Sequence, residues 1–351
     1  MRHRHRAHRC PAEGPDVEPV TQGPLGVPMD KVLQTFPIPD AVEQKLRAHC
    51  DVRQAFFVEG DELVEAARGC RGVVAGTELW PREALAAVRA DLRAISRVGT
   101  GVDSVDIAAA TEFGIAVLNA PGENAQTIAE LSVGLMWSLA RRMVLADQAV
   151  RTTGFKMRTE LDGIELTGKT VGIIGFGEIG RRVAAICRHG FRMRVLITTA
   201  HPDPARLTAA GIEAHFVDLD ELLAESDFVA LHAAVTPETE RMIGAAQLQA
   251  MKADAYLVNT ARGQLVDEDA LVAALTSGEI AGYGADVYEV EPPQPDHPFF
   301  ALPNTVLGPH FGSGTFEAMT RMGGRAVDNL IEFLDGGQPV RTVNPEVYSS
   351  E

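Results

Sequence analysis

The chain has 351 residues, 46% hydrophobic and 23% charged, enough for two globular domains with separate cores. Its formal net charge of -16 makes it a poor partner for a phosphate backbone, so nucleic acid is not expected; an anionic substrate would need a local positive site. Cys10, Cys50, Cys70 and Cys187 are widely spaced with no C-x-x-C pair, which argues for a reducing, cytoplasmic setting and against a disulfide framework or a zinc knuckle. The most apolar stretch, Leu131 to Ala140, has 10 residues where a membrane span needs about 20.

Residues 1–28 hold an Arg/His cluster, five Pro, three Gly and few large apolar side chains. They read as a disordered tail, or as sequence upstream of a natural start at Met29. From Asp30 the pattern alternates short apolar runs with amphipathic stretches. Lys31–Phe36, Gly72–Gly76, Ala94–Val98 and Ile115–Leu118 read as strands. Asp40–His49, a segment after Pro81, and Val102–Thr111 read as helices. That rhythm predicts an α/β fold with a parallel sheet covered on both faces.

One long helix is expected over Thr127–Val150, followed by a connection over Thr152–Thr167. A second alternating series then begins, with six strand candidates at Thr170–Gly175, Met193–Thr198, Phe228–Ala233, Ala255–Thr260, Tyr283–Tyr288 and Asn304–Leu307. Six strands suit a complete dinucleotide-binding sheet. Helices are expected over Asp267–Thr276, with Gly278 as stop, and over Phe316–Leu334.

The sharpest motif is Gly175-Phe176-Gly177-Glu178-Ile179-Gly180, a G-x-G-x-x-G between a strand and the expected helix Arg181–His189. Gly175 permits the tight turn, Gly177 lets a pyrophosphate approach, and Gly180 lets helix and strand pack closely. The helix N-terminus aims backbone N–H groups at phosphate. An acid that holds the adenosine ribose is expected at the end of the next strand, but the chain reads Thr198-Thr199-Ala200-His201 there. The NAD signature is therefore missing. Thr198, Thr199 and His201 would offer donors to a 2′-phosphate, yet the nearest arginine is Arg206. NAD and NADP both stay open, with a lean to NADP.

Three segments follow at strand C-terminal ends, where such sheets bind ligands. They carry Arg262, then Asp286 and Glu291, then His310. Singly, Arg262 suits a surface ion pair, Glu291 a solvated loop and His310 a structural role. In order behind a nucleotide turn they form a candidate catalytic set.

Together with Gly99-Thr100-Gly101-Val102-Asp103, Asn119-Ala120-Pro121-Gly122, Ala129-Glu130, Asn259-Thr260-Ala261-Arg262-Gly263, Asp286-Val287, Glu291-Pro292 and Pro309-His310-x-Gly312-Ser313, the chain resembles the D-2-hydroxyacid dehydrogenases over Met29–Tyr348. It resembles their phosphoglycerate dehydrogenase and glyoxylate/hydroxypyruvate reductase branches. It departs in Gly314, where the family has Ala, and in the missing ribose acid.

The resemblance implies two doubly wound parallel-sheet domains: a Rossmann NAD(P)-binding domain over 125–315, inserted in a flavodoxin-like substrate domain over 29–124 and 316–351. It implies hydride transfer between the nicotinamide and a small 2-oxo or D-2-hydroxy acid, with glyoxylate, hydroxypyruvate or pyruvate preferred and phosphoglycerate as the alternative. His310 would be the general acid, Glu291 its orienting partner and Arg262 the grip on the 2-oxo acid. Asp286 would accept from the carboxamide.

Cofactor contacts are also implied from Gly175, Gly177, Glu178, Ile179, Gly180, Thr198, Thr199, His232, Thr260, Ala261, Arg262, Asp286, His310 and Gly312. Thr100 and Gly101 would bind the substrate carboxylate beside Arg262 and His310. Gly76-Thr77-Glu78-Leu79-Trp80 would be the substrate loop, with Trp80 on substrate or in the core and Glu78 disfavouring a phosphate. The helix near Ala125–Val150 would mediate a homodimer. A reading of another class is a dinucleotide-sensing corepressor, which need not keep Arg262, Glu291 and His310.

Overall fold

Four short apolar runs in the first third of the chain become the inner strands of a parallel sheet. In this computed structural model, which describes residues 29–155 and 161–349, the chain divides into two compact units, 1–121 with 320–351, and 122–319. The expected tail, 1–28, lies outside the described residues.

The first unit contains β1 (Lys31–Gln34), β2 (Asp51–Gln54), β3 (Gly72–Ala75), β4 (Ala94–Arg97) and β5 (Ala116–Leu118) in the order β2-β1-β3-β4-β5, all parallel. That is the flavodoxin-like order. β3 is buried throughout, as a strand covered on both faces must be. The sequence reading missed β2, an edge strand with no buried residue, and the helix Gly60–Ala67.

The expected helix over Val102–Thr111 is shorter, Ile107–Glu112. Val105 instead bridges to Trp80, whose N–H donates to Ser104 O at 2.7 Å, and Asp106 caps the helix by accepting from Ala109 N at 2.9 Å. The helix Phe316–Leu334 returns the chain to this unit. There Asn329 Nδ2 donates to Asn119 O at 2.9 Å and Ser96 Oγ to Ala326 O at 2.7 Å.

The second unit adds β6 (Thr170–Ile174), β7 (Arg194–Thr198), β8 (His215–Phe216), β9 (Phe228–Leu231), β10 (Tyr256–Asn259), β11 (Gly282–Ala285) and β12 (Thr305–Leu307). Their order is β12-β11-β10-β9-β6-β7-β8, all parallel. This is the doubly wound dinucleotide arrangement with one further strand, and the order reverses between β6 and β9. The seventh strand, where six were expected, follows from β8, two residues long at the edge. The helices Pro204–Ala210, Leu219–Glu225 and Ala245–Ala250 run between the strands, as the alternating pattern requires.

The expected helix Thr127–Val150 is two helices, Ala125–Ala140 and Met143–Thr153, broken at Arg142, whose φ is 50°. The carbonyl of Ala140, which a continuous helix would use internally, accepts Ile164 N–H at 2.8 Å. A returning loop thus ends the helix.

Candidate active site

The glycine turn follows β6 directly. Gly175 has a φ of 97°, and a Cβ there would stand 2.5 Å from His232 O; a Cβ on Gly180 would stand 2.1 Å from Gly175 O. Backbone therefore meets backbone at both positions, which no side chain permits. At Gly177 a Cβ would meet nothing within 4 Å, so open space adjoins the turn. Glu178 and Ile179 open the helix Glu178–Phe191, which has no side-chain cap at Gly177. Its first N–H groups are thus available to an anion. Glu178 pairs with Arg181 and, at 2.7 Å, with Arg182.

Two polar side chains at neighbouring strand ends lack protein partners. Leu231 and Asn259 pair in register, and His232 and Thr260 follow them. Both ring nitrogens of His232 and Oγ1 of Thr260 are buried without a hydrogen bond. Burial lowers His232 to about 4, so its imidazole is neutral and offers one donor and one acceptor. Buried polar atoms without partners are rare; here His232 adjoins the glycine turn at the reversal of strand order, where a dinucleotide binds, and Thr260 ends the next strand. The residues present fit such a group.

At the end of β7, Thr198 Oγ1 donates to Val217 O at 2.8 Å. Thr199 and His201 follow, half-buried and exposed. The next acid, Asp203, caps the helix Pro204–Ala210 by accepting from Ala205 N at 3.0 Å, and it lies 3.6 Å from Arg206 Nε. Neither Asp203 nor Arg206 stands at the strand end.

The loop after β10 is an Asn-centred turn. Asn259 Oδ1 accepts from Ala261 N at 3.0 Å and Asn259 Nδ2 donates to Arg262 O at 2.8 Å. This buried asparagine sets the backbone at Arg262, a role the sequence reading did not assign. An Asn ending an apolar strand was the available signal. Arg262 is half-buried, and its Nη1 donates to Ala261 O at 2.7 Å.

The loops after β11 and β12 carry the other candidates. Buried Asp286 accepts Phe311 N–H at 3.0 Å through Oδ1 and Gly312 N–H at 2.7 Å through Oδ2. The carboxylate expected to face a carboxamide holds the His310 loop. His310 has a φ of 55°, a conformation that costs a non-glycine residue about 1–2 kcal/mol. Its Nδ1 lies 2.5 Å from Glu291 Oε2, while Glu291 Oε1 accepts Tyr288 N–H at 3.0 Å.

The pair is polarised. The hydrogen bond to Glu291 raises His310 above its ordinary value, against burial and the Arg262 charge. Burial alone would push Glu291 up; the His310 ring, the Tyr288 amide and the charges of His310 and Arg262 hold it below the usual range. Burial raises Asp286, opposed by the two amides. Arg262, Glu291 and His310 are therefore electrostatic neighbours in one unit.

The expected substrate contacts Thr100 and Gly101 lie in the other unit. Asn119 Nδ2 donates to Thr100 O at 2.8 Å, and Thr100 Oγ1 to Ala120 O at 3.3 Å. Trp80 is fully buried in that unit's core, which decides between its two readings. Glu78 is also buried and accepts a hydrogen bond from Thr35 Oγ1. That bond ties it to the end of β1, so Glu78 anchors its own loop. Among the described residues no group of three His, Cys, Asp or Glu is placed to hold a metal, and no helix is long and apolar enough to cross a membrane.

The chain is 42% identical over 259 residues to a glyoxylate reductase of Korarchaeum cryptofilum, covering 73% of this chain and 77% of that protein. It is 36% identical to a D-3-phosphoglycerate dehydrogenase of Archaeoglobus fulgidus, covering 89% of this chain and 58% of that one. Among solved structures, a glyoxylate reductase from Paecilomyes thermophila superposes with a TM-score of 0.79 at 31% identity, covering 90% of this chain and 99% of that one. The family described as D-isomer specific 2-hydroxyacid dehydrogenase, NAD binding domain, matches residues 133–312, the span that holds the glycine turn, Arg262, Glu291 and His310. By fold, motif order and sequence identity, the chain belongs to the D-isomer specific 2-hydroxyacid dehydrogenase family.

Proposed function

We propose that the chain reduces a small 2-oxo acid of the glyoxylate or hydroxypyruvate size to its D-2-hydroxy acid, and runs the reverse oxidation. The observation that carries this reading is the 2.5 Å contact of His310 Nδ1 with Glu291 Oε2 on the dinucleotide-binding unit. The sequence relation to glyoxylate reductases supports the substrate class.

The bound nicotinamide supplies the hydride. His310 holds a proton at Nε2 and gives it to the carbonyl oxygen as charge develops there; in oxidation it takes the hydroxyl proton. Glu291 keeps the other ring nitrogen protonated, fixes the tautomer and stabilises the imidazolium. Arg262 offers a planar fork to the carboxylate and carbonyl oxygen. Asp286 maintains the His310 loop, and its remaining lone pairs would accept from the carboxamide.

The Gly175–Gly180 turn and the first amides of the helix that Glu178 and Ile179 open would hold the dinucleotide's phosphates. His232, Thr260, Ala261 and Gly312 would hold its nicotinamide half, and Thr198 and Thr199 its ribose edge. With no acid there, the reading leans to NADP over NAD. We also assign a homodimer through the helices Ala125–Ala140 and Met143–Thr153, which leave Trp137, Met143, Val144 and Val150 at 40–57% exposure. A reducing, cytoplasmic setting suits the buried thiols of Cys50, Cys70 and Cys187.

The test is oxidation of NADPH and of NADH with a panel of 2-oxo acids including glyoxylate, hydroxypyruvate, pyruvate and 3-phosphohydroxypyruvate. Turnover on the small acids, with the larger kcat/KM for NADPH, is expected. Dinucleotide binding without turnover on any member would favour a sensor over an enzyme. A dominant rate on 3-phosphohydroxypyruvate would move the substrate to the phosphoglycerate branch, for which the relation to the Archaeoglobus fulgidus protein speaks.

A further inference from the structure

Glu291 and His310 stand on separate loops, after β11 and β12, and one side chain spans them. Tyr288 is 5% exposed. Its backbone N–H donates to Glu291 Oε1 at 3.0 Å, and its hydroxyl donates to Gly308 O at 3.0 Å, two residues before His310. We propose that Tyr288 is a positioning residue for the acid–base pair, setting the spacing of the two loops so that Glu291 Oε2 meets His310 Nδ1. The inference rests on the reading of Glu291 and His310 as the proton-transfer pair.

Three further observations make Tyr288 a fixed reference rather than a passenger of its loop. The next residue, Glu289, is clamped on both backbone groups: its N–H donates to Glu268 Oε1 at 2.8 Å and its carbonyl accepts from Gln264 Nε2 at 2.9 Å. Its carboxylate pairs with Arg241 at 2.6 Å. The far carboxylate oxygen of Glu268 lies 3.1 Å from His297 Nε2, and the His297 and Phe300 rings pack edge-on against the Tyr288 ring at 5.8 Å and 6.5 Å. The anchor is therefore held by charge, amide and aromatic contacts at once.

On the other loop, Asp286 holds the two amides after His310 and Tyr288 holds the carbonyl before it. The left-handed backbone at His310 is thus restrained on both sides. Burial, aided by the charges of Asp286, Glu291 and Glu268, raises the Tyr288 phenol, so its hydroxyl remains a donor across the working pH range. A phenylalanine would fill the same volume but leave the Gly308 carbonyl without this donor, freeing the loop that carries His310.

The experiment is histidine ring NMR titration of the full chain, with the His310 signal assigned by its loss in His310→Gln. It compares wild type, Tyr288→Phe, Glu291→Gln and Leu271→Ala, the last a buried residue of the same core cluster as Tyr288. The expected result is a raised His310 titration in wild type, lost in Glu291→Gln, brought at least halfway to the ordinary value in Tyr288→Phe, and unchanged in Leu271→Ala. With NADPH and glyoxylate, Tyr288→Phe should lower kcat about 5-fold, the rate equivalent of one buried hydrogen bond, with cofactor Kd unchanged.

A Tyr288→Phe protein whose His310 titrates like wild type, while Glu291→Gln shifts it, overturns the positioning role and leaves the acid–base reading intact. An equal shift in Leu271→Ala overturns it too, since loosened packing alone would then suffice. A wild-type His310 indifferent to Glu291→Gln removes the acid–base reading, and the inference with it.

Discussion

The carboxylate of Asp286 accepts the backbone N–H of Gly312 at 2.7 Å, two residues beyond His310. With Phe311 N–H at 3.0 Å on its other oxygen, it closes the loop that presents the imidazole in a left-handed conformation. Asp286→Ala removes the acceptor from the buried Gly312 amide, a loss of about 1–3 kcal/mol, and from the part-buried Phe311 amide. Lower Tm and a lower kcat are expected together, with Asp286→Asn between the two, by thermal unfolding and steady-state kinetics. An alanine variant with wild-type kcat would show that the loop needs no such closure.

His310→Ala should reduce kcat by about 10²-fold or more, the scale of general acid–base catalysis, while nicotinamide Kd stays near wild type. In the pH profile, reduction needs protonated His310, whose value is raised by Glu291. Its rate should hold through the ordinary histidine range and fall as pH rises through the elevated value; oxidation should rise over the same interval. The stability contribution has matching signs. The His310 part is complete below the unfolded value near 6.5 and is lost as pH rises through the raised folded value. The Glu291 part is lost as pH falls through its lowered one. A reduction rate that climbs with pH would contradict the proton-donor assignment.

Arg262→Ala should raise KM for the 2-oxo acid and lower kcat/KM, with dinucleotide affinity little changed. Arg262→Lys should not restore the loss, because a point charge does not replace a planar fork that Asn259 fixes at its backbone. Unchanged KM and kcat in the alanine variant would remove Arg262 from substrate binding.

Two glycines of the same turn should separate folding from binding. A methyl at Gly180 meets Gly175 O at 2.1 Å, so Gly180→Ala should lose about 1–3 kcal/mol of stability along with dinucleotide affinity. A methyl at Gly177 meets no protein atom within 4 Å, so Gly177→Ala should keep its Tm and weaken dinucleotide binding alone, read by NADPH fluorescence titration. Equal affinity in Gly177→Ala would mean that the pyrophosphate lies elsewhere.

Strongly buried elements were the legible ones. β3 and β9 are apolar throughout because both sheet faces are covered, and a run of such residues has one reading. The helix Asp40–His49 carries its own periodicity, and the helix Glu268–Ser277 its own cap and stop in Asp267 and Gly278. The edge strands β2 and β8 went unseen, since a solvent-facing edge needs no apolar pattern.

Local chemistry alone dictates the glycine turn and the residue types at three strand ends, because a tight turn, a phosphate approach and a proton transfer each demand particular side chains at fixed spacing. Which atoms meet is a long-range matter. Ile164 ending a helix at Ala140, Glu78 hidden against Thr35, and Tyr288 joining the loops of Glu291 and His310 all depend on segments distant in the chain. Only packing brings those segments to hydrogen-bonding distance, and no periodicity or composition encodes such a meeting.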